Sequence, residues 1–568
     1  MGYFMILLLI LIMFAAVAVF ISRRFAPSKE QADLLSYYNL TERESSNRQA
    51  AGTNELAIVI DDTILDNSDT AAFRAILDGN DVYVGISLVQ DYIDGRFYLD
   101  NYEDLVVYTN AVDSIVLPID SSVYRSGGNE LDAGYVIAKT IGSDIYLNMN
   151  FVSDHSSVSY QVFQDPARVY IRNDSGDIET ITAKENIKMR SSDDRKASIV
   201  TVVPKGSQLK VLSKSDGWLE VIDDQGFTGY VQDNFISDIT SQTLSSDYQE
   251  PAYTHLTLDG SVNMVWHGIY YYESNQYISD YTYDMTGVNV LAPTWFLFAD
   301  NYGDILSYAN QYYIDYAHDN GWYVWAVLED MDGESSVEIL PYTSRRQTAI
   351  SQMINECLTY GIDGINVDLE TVTSSLGTDF IQFIRELSAA CRNNGLILSV
   401  ADYAPYAYNA YRHTQEQSKL ADYVAIMAYD DYVGGSEAGP NASLPFLSEV
   451  MELCRNTVDM DRLIIGLPFY SRAWYEYGDG SLGSDTMDMN GVKNLIWNYD
   501  LTTEWNADLG YDYVEYESDG TTVKLWCENT ASLQAKLELL QQYNIAGIAC
   551  WRLGQETSDV WAVLSQYY

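Results

Sequence analysis

The feature that most constrains the fold is an alternation of apolar, strand-like runs with helix-length segments across residues 261–568. Eight such runs occur: VNMVWHGIYY, GVNVLAPTWFLF, WYVWAVLE, GIDGINVDLE, LILSVADY, ADYVAIMAYD, RLIIGLPFY and AGIACWRLG. Eight βα units in about 300 residues predict a (β/α)8 TIM barrel, whose functional residues gather at the carboxyl ends of the strands. The segment at about 471–544 has its own strand and helix signals, and predicts a small α+β insertion that forms one wall of a cleft.

Four segments precede the barrel region. Residues 3–22 are almost continuously apolar and long enough to span a bilayer, so we expect an uncleaved transmembrane anchor. A polar linker (25–54), a small α+β stalk module (55–180) and an SH3-like β-barrel (186–238) follow. Two arginines directly after the anchor favour a cytoplasmic location for the large domain, although long domains often override that charge rule.

Two of these segments resemble known domains. The strands and turns of NIKMRSSDDRKASIVTVVPKGSQLKVLSKSDGWLEVIDDQGFTGYVQDNFIS resemble a bacterial SH3 domain, which implies binding to cell-wall peptide. A purely structural spacer is the alternative. The runs DVYVGISLVQDYIDGRFYLDN and ARVYIRND faintly resemble the copper amine oxidase N-terminal-like domains of exported bacterial proteins, which implies a stalk and no copper site.

Composition excludes several classes of function. The net charge is −49, from 81 acidic against 32 basic residues, so bulk attraction to nucleic acid or anionic lipid is excluded. The five cysteines form no CxxC pair and the five histidines have no metal-ligand spacing, so we expect neither a disulfide framework nor a metal site. No phosphate-binding or dinucleotide motif occurs, and no cofactor is expected.

The run DGINVDLE concentrates polar side chains on one face of the fourth predicted strand. Side chains alternate along a strand, so Asn366, Asp368 and Glu370 share the barrel interior and Glu370 lies at the catalytic rim. A buried structural network, or a carboxylate that caps the next helix, is the alternative interpretation. A negative charge on Asp368 would raise the proton affinity of Glu370, as general acid catalysis requires. No second carboxylate is placed opposite as a nucleophile, which points to attack by the substrate's own acetamido group.

Four motifs in order resemble glycoside hydrolase family 18 across residues 261–568. They are DGINVDLE for the DxxDxDxE motif, IMAYD on strand six, IIGLPFYSRAW on strand seven and GIACWRLG on strand eight. The resemblance implies that Glu370 is the acid/base and that Asp368 orients the acetamido group. It also implies that Tyr429 bonds the acetamido carbonyl, that Asp430 contacts the sugar and that Trp551 forms the floor beneath the ring.

Further site residues follow from the same resemblance or from their position. Met427, in the strand-six motif, is expected to contact substrate, and Asp363 is expected to support the strand-four network from behind. Trp266 and Trp295, near the ends of the first two strands, are candidates for sugar stacking, with core packing as the alternative for each. Asn366 stands where the motif has its middle aspartate, so the expected charge-sharing network is smaller.

The departures from the family pattern indicate a branch within it. Strand three, WYVWAVLED, lacks the SxGG that is usual in chitinases. Together with Asn366 and APTWF on strand two, this resembles the spore-cortex-lytic N-acetylglucosaminidases, which implies cleavage of peptidoglycan. We therefore expect a membrane-anchored glycosidase on the extracellular face of a bacterium, with peptidoglycan or a chitin-like polysaccharide as partner. The alternatives are a chitooligosaccharide hydrolase, a non-catalytic wall-binding lectin and a tethered adhesion protein; lectin-like relatives lose the acid glutamate, which is present here.

Overall fold

The computed structural model describes residues 26–38, 54–65, 74–330 and 333–567, together with single positions between 6 and 17. Within these residues no helix has the length and apolarity needed to cross a membrane. The anchor expected at 3–22 falls almost wholly outside the described residues, and so does much of the 25–54 linker. Both stay predictions from the sequence.

The chain divides into two compact units. The first comprises Met1–Leu99, Leu117–Arg125 and Glu130–Glu250, and the second comprises Asp100–Val116, Ser126–Asn129 and Pro251–Tyr568.

The first unit contains a mixed sheet of eight strands. These are Asn54–Ile60, Thr63–Ile64, Ala75–Asp78, Asp81–Gly85, Ala138–Ile141, Asp144–Asn148, Val158–Phe163 and Arg168–Asn173. The short helices Leu34–Tyr37, Ile86–Tyr92 and Met149–Asp154 accompany it. A separate five-stranded meander, whose residues are divided between the two units, runs in chain order through Phe97–Asp100, Leu105–Thr109, Ser114–Pro118, Val123–Ser126 and Asn129–Asp132.

The SH3-like part is a seven-stranded antiparallel sheet, and this prediction is confirmed. Its strands are Gly176–Thr182, Ile187–Arg190, Ile199–Val203, Gln208–Ser215, Trp218–Ile222, Thr228–Gln232 and Thr240–Leu244. Its apolar core is shared with the mixed sheet, because Val59 and Tyr170 pack in one cluster with Val221 and Val231. Burial of this common apolar surface joins the two parts into one unit.

All eight predicted barrel strands are present and parallel. They are β1 (Val262–His267), β2 (Val290–Pro293), β3 (Tyr323–Glu329), β4 (Gly364–Asp368), β5 (Ile397–Tyr403), β6 (Tyr423–Met427), β7 (Leu463–Pro468) and β8 (Gly547–Trp551). Strand β1 pairs with both β2 and β8, and β2 also pairs with β3, so the barrel closes. Two short strands, Phe296–Phe298 and Ile305–Ser307, extend the sheet beside the end of β3.

The strands are buried on both faces, which explains their nearly continuous apolar sequences. An inner cluster fills the barrel and includes Trp325 and Val327 of β3 with Ala401 of β5. An outer cluster between strands and helices includes Ile365 and Val367 of β4. The alternation predicted for strand four is therefore confirmed, with its aliphatic residues outside and its polar residues inside.

The surrounding helices are Ile278–Thr282, Gln311–Asp319, Glu334–Ile339, Thr343–Tyr360, Gly377–Asn394, Thr414–Leu420, Leu444–Arg455, Thr530–Leu540 and Val560–Tyr567. The two longest end at Gly361 (φ 78°) and Gly395 (φ 68°). A left-handed residue after a helix favours glycine and stops the helix abruptly. The chain therefore turns directly into β4 and β5, whose far ends carry the candidate site.

The insertion between β7 and β8 is a five-stranded antiparallel sheet with one helix. Its strands are Tyr470–Glu476, Leu482–Asp488, Glu504–Asn506, Tyr511–Ser518 and Thr521–Cys527, and its helix is Met489–Asn498. It has a small core of its own, in which Val492 of the helix packs against Val514 and Leu525 of the sheet. The last strand of the insertion ends at Cys527. The helix that follows, Thr530–Leu540, packs with the barrel helices Leu444–Arg455 and Val560–Tyr567 and so belongs to the barrel.

Candidate active site

Glu370 lies two residues beyond the end of β4 and is exposed. The hydroxyl of Tyr403, the last residue of β5, donates a 2.5 Å hydrogen bond to Glu370 Oε2. Burial raises the pKa of Tyr403 above its ordinary value, and the Glu370 carboxylate raises it further. Tyr403 therefore stays a donor at neutral pH and orients the Glu370 carboxyl group.

Asp368 ends β4 inside the barrel and is only 7% exposed. Its Oδ1 atom is buried and has no hydrogen-bond partner among the described residues. Burial raises the pKa of Asp368 well above its ordinary value, and the negative charges of Glu370 and Glu329 raise it further. A buried carboxyl oxygen without a donor is costly, so this atom needs a proton or a hydrogen-bond donor.

Asn366 forms a neutral network one layer deeper. Trp266 Nε1 donates to Asn366 Oδ1 at 3.0 Å, and Asn366 Nδ2 donates to Ser399 Oγ at 2.7 Å. All three residues are buried. The network ties β4 to β1 and β5 and supports the strand that carries Asp368, as a fully satisfied buried network can. The indole of Trp266 belongs to this layer, so the packing interpretation of Trp266 holds.

The strand-six motif supplies a phenol and a second carboxylate. Burial of the Tyr429 phenol raises its pKa well above the ordinary value, and the nearby Tyr470, Asp368, Glu370 and Asp430 act in the same direction. Tyr429 is thus a hydrogen-bond donor at the carboxylate cluster at neutral pH. Met427, the last residue of β6, is 6% exposed.

Residues of the segment after β6 and of the first strand of the insertion hold Asp430 in place. Its backbone is left-handed (φ 60°), and its N–H donates to Asn441 Oδ1 at 3.0 Å. Tyr470 Oη donates to Asp430 Oδ1 at 2.9 Å, and Arg472 lies 3.5 Å from the same oxygen. The carboxylate is therefore fixed beside an exposed surface, where a substrate hydroxyl can reach its other oxygen.

Trp551 ends β8 and is partly buried. Its ring centroid lies 6.0 Å from that of Trp266, with the planes at 59°. Trp551 is thus placed at the carboxyl end of the barrel with the other site residues, above the buried Trp266 layer.

Two expected site residues lie elsewhere. Trp295 is fully buried, and its Nε1 donates to Asn275 Oδ1 at 2.9 Å, so no ring face is free for a sugar and the stacking role is wrong. Asp363 precedes β4 at the opposite end of the strand. Its Oδ2 accepts bonds from Val324 N at 2.7 Å and His318 Nε2 at 2.9 Å, so it ties β4 to β3 and does not support the Asp368 network directly.

Two residues that the sequence interpretation missed belong to the site. Tyr403 and Glu329 are the last residues of β5 and β3. Burial raises the pKa of Glu329 to about 6, with a further contribution from the charge of Glu370. Their strand-end position in a TIM barrel is the signal that could have identified both. Among the described residues, no three histidine, cysteine, aspartate or glutamate side chains are grouped so as to hold a metal ion.

Family models match two segments of the chain. Residues 331–556 match Glycosyl hydrolases family 18, and residues 185–237 match the Bacterial SH3 domain. The chain therefore contains a family 18 glycoside hydrolase domain and a bacterial SH3 domain, as their resemblances predicted.

Curated relatives agree with this assignment. An uncharacterized glycosylase, YvbX, of Bacillus subtilis (strain 168) is 26% identical over 301 residues, which are 49% of this chain and 84% of the relative. The cortical fragment-lytic enzyme of the same organism is 23% identical over 242 residues, 39% of this chain and 54% of that enzyme. The match thus spans most of the first relative and about half of the second.

One similar solved structure is the C-terminal domain of a putative chitinase from Desulfitobacterium hafniense DCB-2. It superposes with a TM-score of 0.50 at 19% identity, over 54% of this chain and 99% of that domain. At this identity the likeness concerns the fold alone.

Proposed function

We propose that the family 18 domain cleaves β-linked N-acetylglucosamine in bacterial peptidoglycan, with retention of configuration and with the substrate's acetamido group as nucleophile. The observation that carries the proposal is the buried, unpartnered Oδ1 of Asp368 beside the exposed Glu370. An acetamido N–H is a donor of the right kind for that oxygen, and a glycosidic oxygen is a proton acceptor for Glu370.

The proposed reaction has two steps. Glu370 gives its proton to the leaving-group oxygen while the acetamido carbonyl oxygen attacks the anomeric carbon, which forms a bicyclic oxazolinium ion. Asp368 accepts the acetamido N–H and stabilises the positive charge that develops on the ring, and Tyr429 donates to the acetamido oxygen. Glu370 then removes a proton from water, which opens the oxazolinium ion and restores the original anomeric configuration.

The remaining site residues bind the sugar. The Trp551 ring provides an apolar face of the size of a pyranose ring, and Asp430 accepts a hydrogen bond from a sugar hydroxyl. Tyr403 holds Glu370 in one orientation through the 2.5 Å hydrogen bond. Holding a reacting group in one geometry contributes to the rate by removing rotational freedom before the chemical step.

Three features favour peptidoglycan over chitin as the substrate. The chain contains a bacterial SH3 domain, a class that often binds cell-wall peptide, and the barrel is similar to a protein named for lysis of cortical fragments. The strand-three segment WYVWAVLED also lacks the SxGG that is usual in chitinases. A location outside the cytoplasm is part of the same proposal, because its substrate lies there.

The test compares the full chain with Glu370→Gln on purified peptidoglycan and on chitooligosaccharides. The matched control is Glu452→Gln, the same chemical change at a surface glutamate whose side chain is 57% exposed. Reducing ends are counted by mass spectrometry, and the anomer formed first is identified by NMR. We expect release from peptidoglycan with retention, and a loss on the order of 10³-fold in Glu370→Gln alone.

Other outcomes reject parts of the proposal. Cleavage of chitooligosaccharides alone would assign a chitinase-type substrate to the same residues. Inversion of the anomer would exclude the acetamido nucleophile. Wall binding without cleavage by either protein would mean that the barrel is a binding scaffold, and removal of 186–238 then tests whether the SH3 domain provides that binding.

A further inference from the structure

A third carboxyl group, that of Glu329, lies at the level of Asp368 on the neighbouring strand. The parallel register pairs Glu329 of β3 directly with Asp368 of β4. Trp325 and Val327 of β3 belong to the inner cluster, so by alternation Glu329 also points into the barrel. Adjacent strands are separated by about 4.8 Å, and paired residues of a parallel sheet point to the same side. Glu329 and Asp368 are 6% and 7% exposed, so two buried carboxyl groups stand side by side.

Neither carboxyl group forms an ion pair within the part of the chain that the structure describes. Arg412 acts on Asp368 as a cation, but it is itself paired with Asp402 and also donates to the Leu369 carbonyl oxygen. Two adjacent buried carboxylates without a cation cannot both be ionised at modest cost. The unpartnered Oδ1 of Asp368 is a second, independent sign that a proton or a donor is missing there.

Few elements contribute charged or titratable groups near Glu329. On the β4 side these are Asp368 and, past the strand end, Glu370. On the other side, Phe296–Phe298 pairs with β3, and it contributes only apolar side chains. From β5 and the segment after it, Tyr403, Asp402 and Arg412 act on Glu370 or Asp368. Apart from Arg412, which is paired with Asp402, the charged groups around the Glu329–Asp368 pair are negative.

We propose that Glu329 is a positioning residue of the active site and shares a single proton with Asp368. The inference rests on the proposed function and deepens it. Asn366, the neutral residue one layer below, has no proton to share, and both of its hydrogen-bonding groups are occupied by Trp266 and Ser399. The partner carboxyl of Asp368 thus comes from the neighbouring strand, two positions higher in the barrel than Asn366.

Because the proton is shared, Asp368 can change from partly protonated to fully ionised while the total charge of the Glu329–Asp368 pair stays the same. In the free enzyme the proton is held between the two carboxyl groups. When the acetamido N–H arrives, the proton resides on the Glu329 carboxyl, and Asp368 is a carboxylate that accepts the N–H. The pair carries one negative charge before and after, so no charge is added to the buried site when substrate binds.

The direct test reads Glu329 without requiring activity. The full chain is labelled with carboxyl-13C glutamate, and the Glu329 resonance is identified by its loss in Glu329→Gln and, as a second variant, in Glu329→Asp. We expect a titration midpoint well above the ordinary glutamate value of about 4.3. Asp368→Asn should lower that midpoint by about one unit, whereas Glu452→Gln should leave it unchanged. A midpoint near the ordinary value, or one that Asp368→Asn does not move, overturns the proposal.

The second test separates positioning from a structural role through the pH profile of kcat/KM. On the basic limb the wild-type pair loses its shared proton and gains a second negative charge, which strengthens proton binding by the rest of the cluster. Glu329→Gln cannot gain that charge, so its basic limb should move to lower pH by about one unit. Glu329→Asp keeps the charge and should restore the wild-type limb. If Glu329→Gln and Glu329→Asp lose kcat/KM equally while the limbs of their pH profiles do not shift, Glu329 has a structural role and the proposal is overturned. An inactive wild-type protein would instead reject the proposed function, and the NMR titration would still decide whether the proton is shared.

Discussion

Asp368 and Asp402 end up on adjacent strands, at nearly the same height in the barrel and almost equally buried, yet their surroundings are opposite. Asp402 faces outward and accepts hydrogen bonds from Arg412 Nε, Tyr403 N, Thr414 Oγ1 and Gln417 Nε2. Asp368 faces inward, and its Oδ1 has no partner in the described structure. A buried charge is stable where hydrogen-bond donors satisfy its oxygens, so the Asp402 carboxylate stabilises the fold, whereas the proposed function gives Asp368 a chemical role.

The two aspartates are nevertheless connected. Arg412, which pairs with Asp402, also donates to the carbonyl oxygen of Leu369 at 3.2 and 3.3 Å. Leu369 lies between Asp368 and Glu370 in the chain. The Arg412–Asp402 pair in the outer layer therefore holds the backbone between Asp368 and Glu370.

The largest expected effect is on activity in Asp368→Asn. An amide cannot carry the negative charge that stabilises the oxazolinium ion, so kcat should fall on the order of 10³-fold. The free energy of unfolding should not decrease, because one of two adjacent buried carboxyl groups is replaced by a neutral amide. Steady-state kinetics and urea unfolding test this. Loss of stability with retained kcat would contradict the contrast between the two aspartates.

The next largest effect is on stability in Asp402→Asn. Arg412 is left with an uncompensated buried charge, so the free energy of unfolding should fall by about 3 kcal/mol. Tryptophan fluorescence during urea unfolding reports the barrel unit, since every tryptophan except Trp218 lies in Pro251–Tyr568. In the control Glu452→Gln the exposed pair with Arg455 is lost, which should change stability by less than about 1 kcal/mol.

A smaller effect concerns the pH dependence of stability at Glu329. The pKa of Glu329 is raised to about 6 in the folded protein, whereas an unperturbed glutamate has a pKa of about 4.3. Protonated Glu329 therefore contributes fully to the free energy of unfolding below about pH 4.3, and this contribution is lost as the pH rises through 6. Between pH 4 and pH 7.5 the wild type should therefore lose up to about 2 kcal/mol relative to Glu329→Gln. Paired urea titrations across this range measure the difference, and parallel stability curves would refute it.

The smallest effect is expected for Tyr403→Phe. Loss of the hydrogen bond to Glu370 Oε2 frees the carboxyl group to rotate, so kcat should fall about tenfold with little change in KM. Tyr403 is 38% exposed, and its ring remains in the variant, so the free energy of unfolding should change little. A KM effect without a kcat effect would mean that Tyr403 binds substrate and does not position the acid.

The barrel could be predicted because its strands are buried on both faces and so appear as apolar runs. The same runs placed Asp368 and Glu370 on one face through simple alternation. The partners of these residues could not be predicted, since Tyr403 lies 33 residues from Glu370 in the chain and meets it only after barrel closure. Similarly, Trp295 and Trp551 are both tryptophans near strand ends, and only packing distinguishes the buried Trp295 from the partly exposed Trp551.

Local periodicity and residues a few positions apart were enough to predict the eight-stranded barrel, the SH3-like domain and the acid/base candidate. Only the tertiary structure shows which buried carboxyl groups receive hydrogen bonds, as Asp402 does, and which have an oxygen without a partner, as Asp368 does. That difference depends on strand register and on hydrogen-bond donors from distant segments, such as Arg412 for Asp402. The pairing of Glu329 with Asp368 likewise exists only in the closed barrel, so the sequence did not identify Glu329 as a site residue.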